Sequence, residues 1–347
     1  MTGSALLVFL LLALTLVAWV LLALIPAIME LRRPRDASPL AGVGRDSGSL
    51  FYFANSFLAR ATAEGLLGPA VPATLSDGTP VLLHGGAAPL EAGDGPVREV
   101  VVVTDPTPLP AGAVLAGEVV VQQSLAPSEE LVLRALLGMR DVTLGAHSTV
   151  LRWVHARGIL EAREGVRLLG RATSDRTIVL SPGVTFQRIE ADTVLVAGAD
   201  PPPAAAGRPR VPWTPRSGVQ LGKRYWRVLG DVEIPAGAVL EGALVATGSV
   251  LIGEGAQVRG SVKAQELLVV CRGAEVEGAL SAWGGIGIES GARVEGPVIS
   301  EADITVEAAT IGMPGGRTSV VGSTVTLAPG ATLHGAVMAA NGRVPAA

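Results

Sequence analysis

Gly237-Ala238-Val239-Leu240-Glu241-Gly242 returns as Gly255-Ala256-Gln257-Val258-Arg259-Gly260, as Gly273-Ala274-Glu275-Val276-Glu277-Gly278 and as Gly291-Ala292-Arg293-Val294-Glu295-Gly296. The step from Gly237 to Gly255, Gly273 and Gly291 is the same each time. A fixed step of this size, with two glycines per step and aliphatic residues between them, marks a solenoid rather than a chain folded around one central core. Apolar residues fall in pairs two apart (Val250 and Ile252, Ala256 and Val258, Val262 and Ala264), while Gln257, Arg259 and Lys263 take the alternate positions. Such pairs put one set of side chains inward and the other outward on extended strands, and they do not fit a period of 3.6. Each coil therefore reads as three short strands.

The fold class that follows is all-β: a parallel β-helix of about 18 residues per coil, with an N-terminal transmembrane helix and short helical insertions. Aromatic residues make up 3% of the chain, which suits a narrow interior filled by small and branched aliphatics. The net charge of −4 and the lack of a basic recognition helix argue against nucleic acid. The single cysteine, Cys271, follows inward Val270 and should point out, so no intramolecular disulfide is possible.

Working backward, the same offsets are occupied by Val142, Leu144, Val150, Val154, Ala156, Leu160, Ala162, Leu168, Ala172, Ile178, Leu180 and Phe186. Leu109, Leu115, Val119 and Val121 fit one coil earlier. Residues 97–198 are thus a first β-helix segment and 223–347 a second. Between Ser128 and Gly138, a serine, two glutamates, an apolar run and a glycine carry helix punctuation, so a short helix is expected at that coil corner.

Residues 199–222 break the period with Pro201-Pro202-Pro203, Pro209, Pro212 and Pro215, and are read as a linker or large loop, because proline cannot donate to a ladder. Arg208, Arg210, Arg216, Lys223 and Arg224 gather there with Trp213, Tyr225 and Trp226. One reading tucks the aromatics against the solenoid; the other makes this cluster, Trp226 included, a contact for anionic lipid or an acidic partner.

Residues 1–31 read as an anchor. No charged residue interrupts Ala5 to Met29, and about 20 such residues cross a bilayer. Arg32, Arg33 and Arg35 follow the run and no basic residue precedes it, which places the body in the cytoplasm of a single-pass inner-membrane protein. Residues 32–96 form a tether and an irregular lead-in. Within them Leu50, Phe53, Phe57 and Ala61 have helical spacing, so a helix over Ser49–Glu64 is expected to cap the open solenoid end or lie on the bilayer.

Neither a cofactor nor a metal site is expected. The four histidines, His84, His147, His155 and His334, do not form a ligand triad, and no phosphate loop or nucleophile elbow occurs. A hexapeptide-repeat acyltransferase would need a histidine base in a cleft between protomers. His155 and His334 are the only repeat candidates, and both are expected as exposed corner residues.

Leu229-Gly230-Asp231-Val232-Glu233-Ile234 and the Gly-Ala-x-Val-x-Gly coils after it resemble the bactofilins, bacterial polymer-forming cytoskeletal proteins. The resemblance implies a right-handed β-helix that stacks end to end into filaments at the cytoplasmic membrane and scaffolds other proteins there. The transmembrane run, the second solenoid segment and the helical insertions depart from that pattern. Independently of the resemblance, a terminal coil exposes backbone groups and an apolar cross-section. The last coil is as apolar as an internal one, so Val325, Leu327, Leu333 and Val337 are expected at a self-association surface. The expected function is a non-enzymatic, membrane-anchored scaffold with itself and unidentified proteins as partners; the alternatives are the acyltransferase and a monomeric membrane-tethered binding module.

Overall fold

The inward positions counted from the repeat are buried without exception from Val142 to Phe186 and from Val250 to Ala282. A computed structural model describes residues 11–16, 19, 22, 49–86, 90, 95–198, 210–220 and 224–346. Residues 1–49 and 50–347 form two compact units. Of the first, the described residues 11–16, 19 and 22 are helical. Among the described residues no helix is long and apolar enough to cross a membrane, and the expected span Ala5–Met29 lies largely outside them.

The second unit is a parallel β-solenoid of about 13 turns. Its ladders repeat the sequence step: Val250 pairs with Leu268, Leu268 with Ile286 and Ile286 with Ile304, all parallel. The two glycines of the phrase serve different ends. Gly255 has φ +65° and open space around it, so it is required by backbone conformation. At Gly278 a Cβ would lie 2.5 Å from the Gly260 carbonyl carbon of the coil below, so it is required by close stacking. In the first segment Glu130 and His147 hold the corner column that Gly165 and Gly183 occupy two turns on, again at positive φ.

The corner after Ser128 does not hold a helix. Val132–Gly138 is a strand, paired with Val114–Val121 on one side and Thr149–Ala156 on the other. Its apolar run misleads because both faces are buried: Leu133 and Leu136 point into the solenoid, while Ala135 and Leu137 lie under a helix outside it. That helix, Tyr52–Ala63, lies within the expected stretch and buries Phe57 and Ala61 as expected, but with Ala54 in place of the exposed Phe53, and it neither caps the solenoid nor stands free. It lies along the flank of the first segment, where Ala54, Phe57 and Ala61 pack on outward Val100, Val102, Val120 and Trp153.

The solenoid begins earlier than the repeat suggests, since Val81–His84 pairs in parallel with Val100–Val103. Part of the proline-rich stretch also joins it: Val211–Trp213 pairs with Ala238–Glu241 as an edge strand.

Candidate functional site

A solenoid has two features at which function concentrates, its ends and its flanks, and here one pair of ends meets within the chain. Thr185–Val196, the last strand of the first segment, runs antiparallel to Thr332–Arg343, the last strand of the second. Pairing covers all three faces of the coil: Phe186 with Gly342, Ile189 with Val337, and Val194 with Leu333. Val325, Leu327, Leu333 and Val337 are all buried, Leu333 and Val337 in this ladder and Val325 and Leu327 on the strand before it, so a ladder expected from a second copy is supplied by the same chain. Val196 N–H donates to Ala331 O and Gly330 N–H to Val196 O, both at 3.0 Å, and Val344 N–H donates to Val184 O at 2.8 Å.

His334 is not an exposed corner residue but part of this seam. Its Nδ1 lies 3.1 Å from Asp192 O and 3.3 Å from Thr193 Oγ1, both on the opposing segment. His155 is buried as well, beneath the edge of the Phe51 ring at 5.6 Å, with Nδ1 2.9 Å from Thr173 Oγ1 and Nε2 3.6 Å from Asp175 Oδ1. Burial holds its pKa below the ordinary value of 6.5, against the pull of Asp175. The apolar runs around both histidines carried the signal for burial; what their ladders would bring opposite them did not show in the sequence.

The outer end of the second segment holds the basic aromatic cluster. Trp213 and Trp226 pair with inward Leu240 and Leu244 and, partly buried, pack on the core at the coil mouth. Arg210 reaches along the outer face to Gln257 Oε1 at 3.0 Å and Glu275 Oε2 at 2.7 Å, which clamps the edge strand. Arg216 and Arg224 are exposed, while Arg208 and Lys223 lie outside the described residues. A cavity of about 400 Å³ at this mouth is lined by Trp213, Pro215, Arg216, Val228, Asp231 and Val232, among others. Val211, Val219 and Leu229 leave apolar surface around it.

This end is partly blunted. Val211 N–H donates to Gly237 O, so the next residue faces away from the coil, and that residue is Pro212, with no N–H to offer. Val219–Gln220 folds back antiparallel onto Tyr225–Val228 and covers a second edge. At the far end of the first segment, the His84 ring accepts the Leu90 N–H at 2.8 Å and contacts Pro108 O at 3.1 Å, which holds Leu90 against the core.

The flank carries the remaining chemistry. The Arg171 guanidinium lies 4.7 Å over the Phe53 ring, and the Phe57 ring packs against Trp153 at 5.5 Å with the planes tilted by 57°. Burial raises the pKa of Glu190, opposed by Arg317 and by the Leu50 N–H. Cys271 is free, with its pKa pushed up by burial and by Glu289, Glu254 and Glu233. No group of three or more metal-ligating side chains occurs among the described residues. No protein-family model matches the chain, and neither a curated protein nor a solved structure is similar to it.

Proposed function

We propose that this protein is a bactofilin-like structural scaffold, attached to the cytoplasmic membrane by its N-terminal apolar run, that self-associates through the outer ends of its solenoid and presents its flanks to other proteins. The observation that carries this reading is the internal junction, in which one coil end accepts another across all three faces. A chain that joins ends in this way has the surface chemistry for end-to-end assembly, and Val211, Val219 and Leu229 supply apolar surface at the end left over. Because Pro212 offers no donor there, contact between copies rests on side-chain packing more than on ladder extension.

A non-enzymatic role is supported by the burial of His155 and His334, which presents no base to a cleft. The blunted end favours one second reading, a single rod that works only through its flanks. Electron microscopy and sedimentation of residues 50–347 across concentrations separate the two. Rods joined end to end, and shortened by Leu229→Asp with Val219→Asp, are the expected result; single rods of about 60 Å, from about 4.8 Å per turn, at every concentration would overturn self-association.

A further inference from the structure

The arginines of the first segment fall into two groups. Arg134, Arg157 and Arg163 each have a carboxylate partner, at 2.7 Å from Glu118, 3.7 Å from Asp175 and 3.4 Å from Glu161. The other seven, Arg152, Arg171 and Arg188 among them, have no ion pair among the described residues. These three are set apart by being neighbours, for Arg171 and Arg188 are direct partners on adjacent coils, and Arg152 precedes Trp153, the partner of Arg171 on the other side. Like charges placed opposite one another on a sheet destabilise it. The one acid on this face of the last coil, Glu190, is already engaged by the Leu50 N–H and Arg317.

Apolar surface lies beside these cations. Tyr52 and Phe53, in edge contact at 5.5 Å, are 46% and 37% exposed, and Leu151 is 46% exposed. Phe53 covers the Arg171 guanidinium, one nitrogen of which is buried without a hydrogen-bond acceptor. This is also where the body begins, for only positions 30–49 separate Met29, at the end of the apolar run, from Leu50. A chain of about 20 residues reaches at most about 70 Å.

We propose that Arg152, Arg171 and Arg188, with Tyr52 and Phe53, form a docking surface for the anionic face of a lipid bilayer, so that the solenoid lies with its first-segment flank against the membrane. The proposal rests on the membrane attachment proposed above. Phosphate headgroups pair with the exposed Arg152 and Arg188 beside the ring-covered Arg171, the two rings and Leu151 enter the interfacial layer, and the tether brings this flank to the surface. An acidic protein is the rival occupant, and the attachment of the chain beside this flank favours the bilayer over it.

Full-length protein in nanodiscs of phosphatidylcholine, with or without phosphatidylglycerol, tests this by hydrogen exchange. Slower exchange over residues 50–60 and 151–190 in the anionic discs, reversed by about 0.5 M salt, is the expected result. The triple variant R152Q/R171Q/R188Q should lose that protection and bind anionic vesicles about 100-fold less tightly, given the contribution of a basic side chain near an anionic leaflet. Equal exchange in both discs, protection that survives in the triple variant, or protection over residues 210–227 instead would overturn the proposal. So would protection produced only by an added polyglutamate peptide, which would assign the stripe to acidic proteins. Failure of the chain to enter any disc would sink the membrane anchor alone; co-flotation of the same chain with phosphatidylglycerol vesicles then decides the stripe, and its absence would sink that too.

Discussion

Gly255 and Gly278 stand at equivalent-looking places in the repeated phrase, yet the molecule needs them for separable reasons. Alanine at 255 meets nothing within 4 Å and suffers only from a left-handed backbone, a cost of about 1 kcal/mol. At 278 the new methyl would meet the backbone of Gly260 and Ser261, each at 2.5 Å, in ladders fixed on both sides. Neither coil can move without breaking its own pairing, so Gly278→Ala should cost about 3 kcal/mol. Denaturant unfolding of both variants checks the order; equal losses would show that the coils have more room than the stacking implies. The repeat made both glycines conspicuous in the sequence, but the reason for the second depends on the coil below it and could not be read from spacing alone.

Among the elements, the helix Tyr52–Ala63 is the one whose attachment answers to pH. Its N-terminal neighbour Phe51 covers His155, and the folded state binds a proton there less readily than the unfolded chain does. This contribution is therefore complete above the ordinary value of 6.5, and is lost as pH falls from there toward the lower folded value. Glu190, raised by burial, works in the opposite direction, since its cost is relieved on acidification. The difference between wild type and His155→Gln isolates the histidine: between about pH 7 and pH 5 the melting temperature of the wild type should fall more steeply. Parallel slopes would mean that His155 is not sealed by the helix. The helix itself was legible from the spacing of Leu50, Phe53, Phe57 and Ala61, but its seat was not. Leu133, Leu136 and Leu137 show why: a strand covered on both faces loses the alternation that identifies strands, so Val132–Gly138 carried a helix-like pattern while the surface that seats the helix stayed hidden.

At the scale of the whole molecule, the two segments are joined by their C-terminal ends, and this sets a length that the connecting chain must span. From Thr332 the ladder passes through Thr310, Arg293, Glu275, Gln257 and Val239 to Pro212 at the outer end. Six steps of about 4.8 Å make about 29 Å. Gly198 lies at the junction beside Pro329, and Arg210 at the outer end, so the described residues on either side of positions 199–209 stand about that far apart. The 12 Cα-to-Cα steps from 198 to 210 reach about 43 Å at most. No pattern in the sequence reveals this junction, because the strands that meet at the seam lie far apart in the chain, Thr193 and His334 by 141 residues, and have the same alternation as every internal coil. Deleting residues 201–206 tests it. Six steps would remain, reaching about 22 Å, too short for Thr185–Val196 to stay on Thr332–Arg343 of the same chain. The seam must then open or re-form between two chains. The expected outcome is loss of amide protection over residues 332–343, or a doubled mass relative to the unmodified body in light scattering, with the other coils still protected. Unchanged mass together with unchanged protection would mean that the two segments are not joined by these ends.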